Sequence, residues 1–347
     1  MSRELTVSID AMGGDAGPSV IVSALARSVQ RHPKVKFILH GDEPMLEKLL
    51  GKRRARFANR VAVRHAAAYV RMDEKPSLAL RRGRNTSMWR AIESVKNGDA
   101  EVVVSAGNTG ALMAMSMYQL GVIDGISRPA IAGLWPTKRG QCVVLDIGAN
   151  IECDADQLVD FAVMGEAFAR AVLGIQRPTV GLLNVGSEEV KGHDAVKGAA
   201  QLLRNASLPM EFVGFIEGDD IAEGTVDVVV TDGFTGNIAL KTAEGTAKLV
   251  ISYLRSALKR SLLSRLGAFL ASGALKALRR KLDPRASNGG MFLGLNGVVV
   301  KSHGGTDALG FASATDMAIG MAEGAVNKSI IADRAGVQQT SREAAAR

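Results

Sequence analysis

Cysteine is almost missing from this chain: Cys142 and Cys153 are the only two in 347 residues. Two thiols eleven positions apart supply neither a disulfide framework nor a cysteine-built zinc site. Aromatic residues make up only 4% of the chain, and proline occurs nine times. No uncharged apolar stretch reaches the ~18 residues that a membrane-spanning helix needs. Met1 to Asp10 contains no apolar core of the secretory type, so no signal peptide is expected. The expectation is an intracellular, soluble chain. Familiar catalytic fingerprints are also absent. The chain has no G-x-G and so no dinucleotide motif, no P-loop, no G-x-S-x-G nucleophile elbow and no H-E-x-x-H pair.

What the chain does contain is apolar residues, at 47%, and glycine, 38 in number and well above the ~7% of an average protein. There is no G-x-y repeat, so the glycines belong to turns. A charged fraction of 22% argues against disorder. The formal net charge is +8, from 43 basic and 35 acidic residues. Residues 250–282 hold eight bases, Arg255, Lys259, Arg260, Arg265, Lys276, Arg279, Arg280 and Lys281, and no acid. The remainder is balanced, thirty-five against thirty-five. A neutral body argues against a general nucleic-acid coat and leaves a non-catalytic membrane or nucleic-acid scaffold, built on the basic segment, as the alternative to an enzyme.

Short Val- and Ile-rich runs alternate with helical patterns. Strands are expected at Leu5–Asp10, Lys36–His40, Val61–His65, Glu101–Ser105, Ala130–Leu134, Cys142–Ile147, Thr179–Val185, Phe212–Glu217, Val226–Thr231 and Val298–Ser302. The Val triplets at 102–104 and 228–230 leave no polar face, which implies a largely parallel sheet covered on both sides, a layered α/β/α fold. One catalytic domain is expected over residues 1–330, including a basic amphipathic helical segment at 248–283, with 331–347 as a C-terminal tail whose last residues, Gln338–Arg347, read as frayed.

In such sheets ligands bind beyond the carboxyl ends of strands. Six strand ends carry glycine with polar partners: Asp10-Ala-Met-Gly-Gly-Asp15, Ser105-Ala-Gly-Asn-Thr-Gly110, Asp146-Ile-Gly-Ala-Asn150, Gly186-Ser-Glu-Glu-Val-Lys-Gly-His193, Thr231-Asp-Gly-Phe-Thr-Gly-Asn237 and Lys301-Ser-His-Gly-Gly-Thr-Asp307. Each alone is an ordinary turn with a helix cap. Six on one sheet edge would line an active-site cleft. The loops at 105–110 and 233–237 open helices whose first amides attract an anion, phosphate being the natural guest, although capping alone explains the same residues. His193 and His303 sit in two of these loops, suited to act as neutral donors or as acid/base groups; Lys191 and Lys301 are their cationic neighbours. Asp10, Asp15, Asp146 and Asp232 form no clustered ligand motif, which favours orienting roles over a metal. Arg81, Arg82 and Arg84 either clamp an acidic partner or are solvated.

The six loops, together with Glu74-Lys-Pro-Ser77, Leu145-Asp-Ile-Gly-Ala-Asn150, Leu182-Leu-Asn-Val-Gly-Ser-Glu-Glu-Val-Lys-Gly192 and His303-Gly-Gly, resemble the bacterial acyl-ACP:phosphate acyltransferase (PlsX) family from about residue 5 to 325. The resemblance implies acyl transfer from acyl carrier protein to inorganic phosphate for phospholipid synthesis, without a cofactor. It implies a homodimer and a fold related to the isopropylmalate and isocitrate dehydrogenases and phosphotransacetylases. The basic segment favours a cytoplasmic enzyme held peripherally at the membrane, and the resemblance adds a membrane glycerol-phosphate acyltransferase (PlsY) as a further partner.

Phosphate is itself a nucleophile, so the protein needs an anion site, oxyanion donors and alignment rather than a nucleophilic side chain. The expected catalytic residues are Lys191, Asn237 and His303. The expected binding set is Asp10, Gly13, Gly14, Asp15, Ser105, Gly107, Asn108, Thr109, Gly110, Asn150, Asp232, Gly233, Thr235 and Gly236. Leu254, Leu258, Leu262, Leu266 and Phe269, then Leu275, Leu278 and Leu282, recur at helical spacing between the cations, with bends expected near Gly267 or Gly273. That segment suits packing in the body, anionic lipid or the acidic carrier protein. Acyl-CoA as donor, as in the phosphotransacetylases, is not separable from the carrier by sequence, since both present a phosphopantetheine thioester.

Overall fold

The computed structural model describes residues 5–57, 59–281 and 289–345. Apolar and β-branched runs form β1 (Thr6–Asp10), β2 (Lys36–Gly41), β3 (Val61–His65), β4 (Val102–Ser105), β5 (Ala130–Thr137), β6 (Gly140–Leu145), β7 (Thr179–Leu183), β8 (Glu211–Ile216), β9 (Val228–Val230), β10 (Gly290–Leu293) and β11 (Val298–Lys301). Ten of them coincide with the expected runs to within three residues; β10 is additional. All lie in one sheet of order β3-β2-β1-β4-β11-β10-β5-β6-β9-β7-β8.

The sheet changes direction midway. β1, β2, β3, β4 and β11 run parallel, and so do β6, β9, β7 and β8 among themselves. Between these groups β10 is antiparallel to β11 and to β5, and β5 is antiparallel to β6. These successive reversals leave the two parallel groups pointing opposite ways. The loops after β1, β4 and β11 therefore lie on one edge, and those after β6, β7 and β9 on the other. This corrects the expectation of six loops on one edge, because a buried Val run carries no mark of its direction.

Helices α1 (Pro18–Arg31) and α2 (Glu43–Leu50) follow β1 and β2. Next come α3 (Pro76–Arg82), α4 (Ser87–Lys96), α5 (Thr109–Leu120), α6 (Ala155–Phe168), α7 (Asp194–Asn205) and α8 (Gly218–Glu223). Strand alternation sorts them into layers. Val102, Val104, Val143 and Leu145 pack with residues of α1, α6 and α7. Val103 and Val299 pack on the opposite face with Met88, Ile92, Leu112 and Met115 of α4 and α5, while Val144 and Val229 meet Ile221 of α8 there. The fold is thus the expected α/β/α sandwich.

Beyond β9 the chain forms α9 (Gly233–Lys259), α10 (Leu262–Leu270) and α11 (Ser272–Lys281), and after β11 α12 (Ala308–Glu323) and α13 (Val326–Ala345). The basic segment is therefore three helices, not one bent at glycine. Ser261 Oγ accepts from the Ser264 amide at 3.1 Å and starts α10, while Gly267 and Gly273 lie inside helices. α10 buries no residue. Leu262, Leu263, Phe269 and Leu270 are 81%, 82%, 75% and 76% exposed. The side chains of Arg279 and Arg280, and Leu282, lie outside the described residues. Residues 326–345 form α13, which spans the expected boundary at 330. Arg334 of that helix donates to the Gly125 carbonyl at 2.8 Å and pairs with the buried Asp160 at 3.0 Å, while Asp333 pairs with Arg170, so the first part of α13 is held against α6 and the turn after it. Among the described residues no helix is long and apolar enough to cross a membrane.

Candidate active site

On the first edge the organising group is the Asp10 carboxylate, at the end of β1 and almost wholly buried. Its Oδ1 accepts from Ser87 Oγ at 2.6 Å, and its Oδ2 from Ser105 Oγ at 2.7 Å. Ser105 Oγ in turn accepts from the Gly107 amide at 3.0 Å. The start of α4 and the loop after β4 are thus tied to one buried acid. Burial raises the Asp10 pKa, opposed by the Ser87 and Ser105 bonds. Gly13 passes so close that a Cβ there would stand 2.6 Å from Asp10 Oδ2, and Gly14 takes the left-handed φ of 94° that glycine tolerates. The Asp15 amide donates to the Gly304 carbonyl at 2.9 Å, which joins the β1 and β11 loops.

Lys301, the last residue of β11, is 8% exposed. Its Nζ donates to the Ala106 carbonyl at 3.3 Å and to that of Ser302. Burial lowers its pKa to about 8, with Asp10 and Asp15 opposing. His303 is also lowered, by burial and then by Lys241 and Lys301, so its imidazole is neutral at neutral pH. Asn108 Oδ1 caps α5 by accepting from the Ala111 amide at 3.0 Å, and its Nδ2 donates to the Met72 and Glu74 carbonyls, both at 2.9 Å. What this loop offers a ligand is therefore backbone. The first turn of α5, with Thr109 and Gly110, brings the amides that a helix leaves without internal acceptors.

On the second edge Asp146 plays the organising part. It is fully buried. Its Oδ1 accepts from the amides of Ile131, Gly148 and Ala149 at 3.1, 3.0 and 3.0 Å. Its Oδ2 accepts from the Asn150 amide at 2.6 Å and from Asn150 Nδ2 at 2.9 Å. The Asn150 carbonyl receives the Gly233 amide at 2.7 Å, which docks the start of α9 on this loop. Asn150 Oδ1 is buried without a hydrogen-bond partner among the described residues. A Cβ at Gly236 would collide with the Asp146 carbonyl oxygen, so only glycine lets α9 lie this close. Asp232 accepts from the Thr235 amide and hydroxyl, both at 2.8 Å, the plain capping arrangement. Asn237 is exposed on the next turn, its Cβ 3.6 Å from where a Cβ on Gly148 would sit.

The structure joins two of the three expected catalytic residues only indirectly. α9 starts where Gly233 docks on the Asp146 loop, and about 12 Å further along its axis Lys241 reaches His303 electrostatically. The helix therefore leads from one loop group to the other, with Asn237 near its start. Lys191 stands apart on the exposed loop after β7, ion-paired with Glu188 at 2.8 Å. That carboxylate holds the Lys191 ammonium above the usual lysine range. Neither cysteine is fit to attack a carbonyl: burial pushes the thiols of Cys142 and Cys153 up to about 12. Among the described residues no group of three or more His, Cys, Asp or Glu side chains is set to hold a metal.

A family model described as fatty acid synthesis protein matches residues 5–329. A phosphate acyltransferase of Parvibaculum lavamentivorans is 58% identical over 334 residues, which is 96% of this chain and 92% of its own length. A phosphate acyltransferase of Sinorhizobium fredii is 55% identical over 331 residues, 95% of each chain. The chain belongs to the phosphate acyltransferase family. As a member it is an acyltransferase of fatty-acid and lipid synthesis. Solved structures share its fold. A phosphotransacetylase from Streptococcus pyogenes has a TM-score of 0.59 at 18% identity, covering 93% of this chain and 95% of its own. A 4-hydroxythreonine-4-phosphate dehydrogenase from Klebsiella pneumoniae has 0.56 at 16% identity, covering 92% and 100%.

Three side chains of this phosphate acyltransferase do more in the fold than their local sequence suggests. Lys301 reads as a cationic neighbour of His303 until its burial is seen. Ser87 looks like an ordinary helix start, and Asp146, though expected to orient its loop, gives no sign of how many bonds it accepts. A Ser or Asp that bonds across distant segments has no local signature. The available signal is that polar residues directly follow fully apolar strands, where they must be either solvated or partnered.

Proposed function

We propose that the space along α9 between the two loop groups is the active site, in which inorganic phosphate attacks an acyl thioester. The enzyme takes phosphate and an acyl donor. The observation that carries the proposed site is the fixed, buried Lys301 cation set among glycine loops that bring backbone amides within reach of a ligand. The two cysteine thiols are too basic to act as nucleophiles. A phosphate oxygen attacks the carbonyl carbon directly; the new C–O bond forms, the C–S bond breaks, and the sulfur leaves as a thiolate that takes up a proton. Acyl phosphate and free thiol result. The first-turn amides of α5 and Lys301 hold phosphate, while Asn237 and the amides opening α9 receive the carbonyl oxygen as it gains charge. Lys191 adds positive charge only by leaving Glu188 and swinging in with its loop, and neutral His303 exchanges a hydrogen bond with phosphate or the leaving sulfur. Asp10, Ser105, Asp146 and Asn150 act by holding the loops.

In this reading the donor is acyl carrier protein and the enzyme is a homodimer. The segment α9–α11 rests on anionic lipid, each cation near the surface contributing roughly 1 kcal/mol. Its exposed leucines enter the interface, and a membrane glycerol-phosphate acyltransferase consumes the acyl phosphate. The direct test supplies phosphate with acyl carrier protein thioester or acyl-CoA and traps acyl phosphate with hydroxylamine. Product from the carrier thioester, lowered on the order of 10²–10³-fold by Asn237→Ala, is the expected outcome. No product from either donor overturns the site and the reaction together.

A further inference from the structure

The segment Lys75–Arg84 carries four bases, Lys75, Arg81, Arg82 and Arg84, and no acid. All four side chains are exposed. Among the described residues none of them is ion-paired, whereas the exposed Arg54, Arg64, Arg71 and Arg90 each engage a carboxylate, of Glu47, Asp99, Asp73 and Glu93 respectively. Leu78, 38% exposed, stands on α3 one turn from both Lys75 and the arginine pair, so the patch has an apolar centre within a cationic rim. Clustered like charges raise the free energy of the isolated protein, and an anionic partner relieves that cost.

This corner also forms a wall of the site. Asn108 Nδ2 holds the Met72 and Glu74 carbonyls. Pro76 packs on Gly110, where an added Cβ would stand 2.6 Å from its Cγ. Ser87, just past Arg84, donates to Asp10. Whatever binds here rests against the loop that opens α5.

We propose that Lys75, Arg81, Arg82 and Arg84 on α3 and the turn after it dock the acidic protein that delivers the acyl group on its thioester arm. The inference rests on the reading above that the donor is a protein-borne thioester, and it separates donor docking from the lipid contact of α9–α11. A nucleic acid would match the charge but carries no acyl group. A second copy of this chain would set like charge against like charge.

The test compares Arg81→Glu/Arg82→Glu/Arg84→Glu and the milder triple alanine variant with the unaltered enzyme, each checked for an unchanged melting temperature. The KM for acyl carrier protein thioester is expected to rise at least about tenfold, with kcat intact and turnover of acyl-CoA unchanged. Raising salt is expected to raise KM in the unaltered enzyme, to leave the alanine variant nearly flat and to lower KM in the glutamate variant, where it screens repulsion. An unchanged KM for the carrier in both variants sinks the docking surface while leaving the reaction standing. Equal losses with carrier and CoA donors also sink it, because the corner would then act on the site itself. Loss of flotation with anionic vesicles alongside an unchanged carrier KM would reassign the corner to lipid. Failure of the unaltered enzyme to use the carrier at all overturns the donor assignment instead.

Discussion

Lys301 is where burial and charge oppose each other most directly. An ammonium ordinarily titrates at 10.5, and burial brings this one down to about 8 despite Asp10 and Asp15. Below pH 8 it is a fixed cation; above, it is neutral. If it holds phosphate, kcat/KM falls as pH rises through about 8, and Lys301→Met removes that limb while lowering the plateau. Stability moves the other way. Between pH 8 and 10.5 the unfolded chain binds more protons at this residue than the folded one, so its contribution to stability rises with pH. A pH–rate profile and a denaturant series over that range distinguish the two; an alkaline limb that persists in Lys301→Met would remove Lys301 from the reaction. The sequence places polar residues at Asp10, Asp146 and Lys301 immediately after apolar runs, and that much is legible. Which of them are buried and what they bond to is not. Ser87 reaches Asp10 across 77 residues, and nothing local at either end records the contact.

Among the helices, α9–α11 shows how amphipathic spacing can be read correctly and its partner still left open. The leucine period is visible in sequence, yet Leu262, Leu263, Phe269 and Leu270 cover no part of the body. The breaks come at Ser261, which caps α10, and at Ala271, not at the glycines. A serine cap competes with helix continuation only when the chain turns, which spacing alone does not specify. Replacing those four apolar residues with serine is expected to change unfolding free energy by no more than about 0.5 kcal/mol per position, as for other exposed positions, while abolishing flotation with anionic vesicles. A large loss of stability would instead reveal that these residues are covered by the protein itself. The loop helices show the converse. Asn108 reads equally as a cap and as a ligand contact, and the structure uses its side chain fully as a cap and brace.

At the scale of the molecule, the α/β/α layering follows from alternation and from the Val triplets, and ten strands lie where their apolar runs place them. The direction of half the sheet does not follow. Connection lengths favour parallel neighbours within each half, but the reversal depends on β10, whose Gly290-Met-Phe-Leu293 is too short and too close to glycine to announce itself. β10 and β11 lie near the end of the chain and at the centre of the sheet, bonding to β5 on one side and β4 on the other. A growing polypeptide therefore reaches residue 289 with two open strand edges, one of them the Val102–Val104 run. Such edges invite pairing with other chains. A polypeptide ending at residue 289 is expected in the insoluble fraction, and a soluble product with a cooperative melt would contradict this. During synthesis the last sixth of the chain is what closes the first five, so a premature stop there leaves not a shortened enzyme but a chain that cells must hold in a chaperone or degrade.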